Sequence, residues 1–192
     1  MTEWITFLLN LDGSILLWIQ ENLRSEFFTP LWKFITTSGN AGLIWIAITC
    51  LLLAFKKTRK VGVTCAVSLI LSLIFTNVLI KPLAARTRPY ELIEGLNILI
   101  AKPHDFSFPS GHSSAAFATA WVLFRKFPAK VGIPAMVYAF LMAFSRLYLG
   151  VHYPTDVLGG IVLGILYATA AMCIAEHMIP ARKQKANEIL KE

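Results

Sequence analysis

Val61-Gly-Val-Thr-Cys-Ala-Val-Ser-Leu-Ile-Leu-Ser-Leu-Ile-Phe-Thr-Asn-Val-Leu-Ile80 carries no charged residue and ends on Lys81. A helix rises about 1.5 Å per residue and needs roughly 17–25 residues to cross bilayer hydrocarbon, so this stretch is long enough to span. Val157–Ala175 meets the same requirement. Ala41–Phe55, Ser113–Phe124 and Val131–Phe144 are shorter and must borrow flanking residues or be shielded by neighbours. The 192-residue chain is 56% hydrophobic with a mean hydropathy of +0.63, whereas soluble chains average about 45–50% apolar and do not pool apolar residues into long runs. The expected fold class is therefore all-α: a polytopic membrane helical bundle of about six transmembrane helices. It is read as one domain over residues 1–192, with residues 1–40 as an N-terminal amphipathic or first membrane helix and 61–178 as the core.

The net charge of +7 is not distributed as a nucleic-acid footprint. Lys56-Lys57-Thr-Arg59-Lys60, Arg125-Lys126-Phe-Pro-Ala-Lys130 and Arg182-Lys183-Gln-Lys185 each adjoin an apolar run, as cytoplasmic Lys and Arg do in membrane proteins. With these clusters and both termini inside, Val61–Ile80 runs outward. The Lys81–His112 connection and the segment around His152–Asp156 then share the opposite, extracytoplasmic face. Lys81, Arg86, Arg88 and Lys102 also fall on that face, against the charge rule, and are read as functional cations.

Trp4 to Leu23 reads as an amphipathic helix with Trp4, Phe7, Leu8, Leu11, Ile15 and Ile19 on its apolar face. Glu3, Asp12 and Glu21 interrupt that pattern, and no cleavable signal peptide is expected. Cys50, Cys65 and Cys173 read as small buried hydrophobes. The charged tail from Ala181 to Glu192 is expected to fray. Gly160-x-x-x-Gly164 permits close helix packing within the monomer.

Three polar stretches sit at the ends of the apolar runs. Lys81-Pro-Leu-Ala-Ala-Arg-Thr-Arg88-Pro89 places cations at a helix end, where Arg offers a planar fork and Lys a point charge to a tetrahedral dianion. Anchoring to lipid headgroups is the alternative for this stretch alone. Pro109-Ser110-Gly111-His112 opens a helix whose unpaired N–H groups attract anions. Gly111 lets its backbone approach closely, Ser110 offers a hydroxyl or caps the helix, and His112 is placed to protonate a leaving oxygen. In Ser145-Arg146-Leu-Tyr-Leu-Gly-Val-His152-Tyr-Pro-Thr-Asp156, Asp156 can fix the tautomer of His152 and leave its other nitrogen free to attack phosphorus.

Together these stretches resemble the signature of the type 2 phosphatidic acid phosphatase family, which shares its core with vanadium haloperoxidases. The pattern is Lys-x6-Arg-Pro, Pro-Ser-Gly-His and Ser-Arg-x5-His-x3-Asp, matched in order from Lys81 to Asp156. The resemblance implies a catalytic core and a metal-independent lipid phosphate phosphatase with no cofactor. His152 would be the nucleophile forming a phosphohistidine, Asp156 its orienting group and His112 the general acid. Lys81, Arg88, Arg146, Ser110 and the Gly111 amide would hold the phosphoryl oxygens. The expected partners are a membrane lipid phosphate and the bilayer, with no nucleic acid and no obligate protein partner. Phosphatidylglycerol phosphate, phosphatidic acid and undecaprenyl diphosphate remain open as substrates. Alternatives of another class are a phosphotransferase using the same phosphohistidine, and a non-catalytic lipid-binding protein. Vanadate-dependent halide oxidation fits poorly with the long apolar runs. His104-Asp105 is too small a group to form a metal site and is read as a headgroup contact.

Overall fold

The computed structural model describes residues 3–189, with side chains from 7 to 176. Every regular element in it is helical, as expected. In chain order these are α1 (Glu3–Asn22), α2 (Thr29–Ser38), α3 (Leu43–Ala54), α4 (Arg59–Leu71), α5 (Lys81–Ala84), α6 (Pro89–Leu92), α7 (Gly111–Lys126), α8 (Ala129–Tyr148) and α9 (Pro154–Ile189). A 3₁₀ turn at Asn40–Gly42 links α2 to α3, and α4 continues through a π-helix, Ser72–Ile80, into α5.

Three described helices are long and apolar enough to cross a membrane: Arg59–Leu92, Ala129–Tyr148 and Pro154–Glu176. The pair α2 and α3, bent by 49°, supplies up to one more. Length and composition thus support three to four spans, and the six expected from the sequence require α1 and α7 as well. α8 borrows flanking residues, as its short apolar run demanded. α7 solves the same problem by being sheathed. It packs on α4, α8 and α9, and Ala116, Phe117, Ala118, Ala120 and Val122 are fully buried.

Small residues permit that sheathing. A Cβ on Gly160 would lie 2.5 Å from Ser110 O, and one on Gly164 2.5 Å from Ser114 O. The two glycines therefore seat α9 against α7 of the same chain. Polar staples join α7 to the π-helix, with Ser114 Oγ 2.8 Å from Ser72 Oγ and 2.9 Å from Thr76 Oγ1. In hydrocarbon such hydroxyls substitute for water.

The apolar face expected for α1 is split: its first half faces outward, while Ile15 is partly buried and Ile19 fully so. Phe7, Leu8 and Leu11 are exposed, while Asp12, Leu16 and Ile19 are buried. Lipid accepts apolar side chains at no cost, so the polar residue turns inward. The side chain of Trp4 lies outside the described residues, as do those of the Arg182–Lys185 cluster. Cys65 is buried, but Cys50 and Cys173 are exposed on the apolar surface. The tail expected to fray continues α9 to Ile189; residues 190–192 lie outside the described part.

Gly164→Val should destabilise the protein by about 1–3 kcal/mol, the usual range for forcing extra methyl groups into a packed interface. Thermal unfolding in detergent checks this, with Gly13→Val, where a Cβ would meet only the Ile93 side chain at 3.6 Å, as the comparison.

Candidate active site

Breaks in the helices gather the polar residues at one end of the bundle. Lys81 opens α5 at the foot of the long α4–π segment. Ala85 then turns left-handed (φ 44°), and Arg88 sits in extended chain before Pro89 starts α6. Arg146 lies in the last turn of α8, His152 in the exit loop and Asp156 in the first turn of α9. Ser110 caps α7, so Gly111 and His112 form its first turn.

A cavity of about 850 Å³ opens between these elements, and Lys81, Arg88, Gly111, His112, Arg146 and His152 all line it. Six of the eight expected site residues thus share one wall. The other two stand behind it. Ser110 is fully buried; its hydroxyl accepts from Ser113 N (3.4 Å) and Ser113 Oγ (3.0 Å). The motif presents the Gly111 backbone to the cavity, with the Ser110 hydroxyl turned into the helix. Asp156 is also fully buried and meets the site through its contact with His152.

The Asp156 carboxylate is closely held. Its Oδ2 accepts from Ser107 Oγ (2.5 Å), the Tyr153 N–H (2.9 Å) and His152 Nδ1 (3.4 Å). Its Oδ1 accepts from Arg86 Nη1 at 2.6 Å. An acceptor at Nδ1 places the His152 proton there and leaves the Nε2 lone pair toward the cavity. Arg88 Nη1 donates to that Nε2 at 3.3 Å and to Val151 O at 2.6 Å. Burial, followed by the charges of Arg88, Arg146 and Lys81, pushes the His152 imidazole well below its ordinary 6.5. The ring is neutral at pH 7, the form a nucleophile requires.

Arg146 is buried and donates from Nη1 to Thr36 Oγ1. Its Nε has no hydrogen-bond partner, and it forms no ion pair among the described residues. A buried guanidinium with an unmet donor at a cavity wall is the state expected before an anion arrives. Lys81 and Arg88 are each paired with Asp105, whose Oδ1 accepts from Arg88 Nη2 at 2.6 Å. Burial acts to raise the Asp105 carboxyl, but Lys81 and Arg88 outweigh it and hold it at about 2. Of the His104-Asp105 pair, Asp105 is therefore an ion-pair element. Among the described residues, no cluster of three or more His, Cys, Asp or Glu is placed to hold a metal.

Four contributors escaped the motif reading. Asn40 Oδ1 lies 3.1 Å from His112 Nε2, and Thr36 receives Arg146. Asn77 packs against residue 111, where a Cβ would meet its Oδ1 at 2.7 Å and oblige the amide to shift. Asp12 accepts from Arg86 Nη2 at 2.8 Å and from Thr155 N at 3.0 Å, tying α1 to the back of the site. The available signal was an ionisable residue inside an apolar helix, which in membranes marks function by default.

Residues 61–178 match the PAP2 superfamily. The chain belongs to that superfamily. It is 38% identical over 121 residues to the undecaprenyl-diphosphatase of Sulfolobus acidocaldarius, a match covering 63% of this chain and 58% of that one. The chain thus spans less than two thirds of that relative's length. The crystal structure of Aquifex aeolicus LpxE superposes with a TM-score of 0.75 at 26% identity, covering 83% of this chain and 93% of that one. A transmembrane PAP2-type phosphatidylglycerolphosphate phosphatase from Bacillus subtilis gives a TM-score of 0.73 at 29% identity, covering 92% and 88%.

Arg86→Met should destabilise the fold by about 3 kcal/mol, because it strands two buried carboxylates, Asp12 and Asp156. Adding Asp12→Asn should recover part of that loss. A double-mutant cycle on unfolding in detergent measures the coupling.

Proposed function

We propose that the protein hydrolyses a terminal phosphate from a membrane lipid through a phosphohistidine on His152. One observation carries this reading: the cavity that holds three cations and two histidines continues between α3 and α4 along Ile46, Leu53, Leu69, Ile70 and Leu73. An apolar groove leading away from an anion site fits an amphiphile with a phosphate head, and a water-soluble phosphate ester has no use for it.

The residues supply each step. Lys81, Arg88, Arg146 and the Gly111 N–H hold the non-bridging oxygens. As Arg88 turns to the phosphate, His152 Nε2 is freed and attacks phosphorus. The bond from phosphorus to the lipid oxygen breaks, and His112 delivers a proton to that oxygen. Asp156 keeps the Nδ1 proton in place and stabilises the positive charge gained by the ring. Water then attacks phosphorus, giving a proton to His112, and the phosphorus–nitrogen bond breaks to release inorganic phosphate and free His152. Each preorganised donor contributes about 2.7–4 kcal/mol of transition-state stabilisation in comparable sites. The reaction needs no metal, because the fixed cations supply the positive charge.

The turn between α3 and α4 and the turn between α7 and α8 carry the Lys56–Lys60 and Arg125–Lys130 clusters at the end of the bundle away from the site. With those clusters cytoplasmic, catalysis takes place on the extracytoplasmic face. Substrates on this reading are lipids with a terminal monophosphate or diphosphate, the class named for the relatives above.

Purified protein in detergent with a chelator should release phosphate from such lipids. His152→Ala should lower the rate about a thousandfold or more, and acid-labile label from a ³²P-lipid should stay on wild type only. Failure of wild type to act on any phosphorylated lipid would end this reading. The pH profile is a second check. His152 takes up its proton only well below 6.5, so kcat, which is free of the ionisation of unbound substrate, should hold as pH falls through 6.5 and decline further down. An acid limb at 6.5 or above would contradict a neutral buried nucleophile.

A further inference from the structure

Asp105 stands out because it places an anion inside a site built for anions. Its carboxylate bridges Lys81 and Arg88, and its backbone carbonyl accepts from Arg88 Nε at 2.9 Å. It also lines the cavity. The two sides of the bridge differ in freedom. The Lys81 and Arg88 side chains are 7% and 4% exposed, whereas that of Asp105 is 53% exposed. Asp105 belongs to the irregular connection between α6 and α7, two residues beyond Pro103. If any member of this cluster moves to admit a ligand, it is the carboxylate.

We propose that Asp105 is a specificity-determining residue: an internal carboxylate that a phosphomonoester displaces from Lys81 and Arg88 and a phosphodiester does not. The inference rests on the lipid phosphatase reading and extends it to the problem of working within a membrane. Bulk phospholipid headgroups are phosphodiesters of charge −1 and surround the site in large excess. Exchanging the carboxylate for a diester replaces one negative charge with another, without electrostatic gain. A terminal phosphate carries about −1.5 to −2 at pH 7. It gains the extra attraction of both cations and of Arg146, which forms no ion pair among the described residues. The lowered carboxyl pKa keeps Asp105 charged, and so competing, at any pH a membrane meets.

The test uses the full chain in mixed micelles, with phosphatidic acid as substrate and phosphatidylglycerol as the diester competitor. Wild type should be insensitive to phosphatidylglycerol. Asp105→Asn and Asp105→Ser should be inhibited competitively, with Ki lowered about tenfold or more. Ki for inorganic phosphate should fall as well, with a lower KM for substrate and no rise in kcat. Asp105→Glu, which keeps the charge, should retain the wild-type discrimination. A merely structural role for Asp105 predicts the reverse: loosened cations, weaker phosphate inhibition and a higher KM. That result, or Ki values within twofold of wild type, overturns the proposal. So does wild type inhibited by phosphatidylglycerol as strongly as by phosphate, an outcome that needs no variant to fold. Protection against thermal unfolding by inorganic phosphate reads the same comparison without turnover. Loss of activity in wild type would then count against the phosphatase reading, while unchanged protection in Asp105→Asn would count against Asp105 alone.

Discussion

The hydrogen bonds converging on the Asp156 carboxylate organise most of this structure. A buried carboxylate is costly unless its lone pairs are met, and here its four donors come from three parts of the chain. Arg86 reaches it from the loop after α5, Ser107 from the irregular connection, and Tyr153 and His152 from the turn into α9. Satisfying one side chain therefore fixes three otherwise irregular segments. Arg86 extends the tie to Asp12 and so to α1. The orientation of His152 is one consequence of a network that also closes this end of the bundle.

That dependence explains what the sequence could reveal. Spacing within a motif reports residues that meet the same ligand, and Lys81, Arg88, His112, Arg146 and His152 do line one cavity. Apolar runs report membrane helices, and the all-helical bundle follows from them. The sequence pattern is blind to partners that reach the site from elsewhere. Asn40, Asn77 and Thr36 are ordinary polar residues in apolar surroundings, and only the fold brings them to His112, Gly111 and Arg146. Asp12 was visible as an interruption in α1. Its meaning depended on knowing that a helix in lipid is read inside out, with the polar residue inward and Phe7 and Leu8 outward. The number of spans was hard to read for a related reason: α7 is short because its neighbours, and not its own length, keep it from lipid.

Ser110 and Gly111 illustrate how one motif divides its work. The Ser110 hydroxyl is committed to the α7 cap, which fixes where the first-turn N–H groups point. The adjacent glycine lets the π-helix bring Asn77 against that turn. A π-helix widens the turn and shifts the register of the residues after it, and such segments recur at functional sites. Here it determines the azimuth at which Lys81 leaves the helix, directly after the staples from Ser72 and Thr76 to Ser114. Helix geometry and anion geometry are thus set together.

Charge balance connects the network to its ligand. The ion-paired groups at this end are Arg86 with Asp12 and Asp156, and Lys81 and Arg88 with Asp105. Arg146 adds a buried cation that forms no ion pair among the described residues. With His152 neutral, and His112 left out of the count, the resting cluster carries four cations against three carboxylates and so retains one positive charge. A buried excess charge is tolerable only if it is solvated or awaits a partner. Arg146 borders a cavity with one donor unmet, which satisfies the second condition. Displacing Asp105 raises the local excess to two, the charge of a fully ionised terminal phosphate. The arrangement therefore holds its cations near neutrality while empty and exposes their full field only to a ligand able to replace the carboxylate.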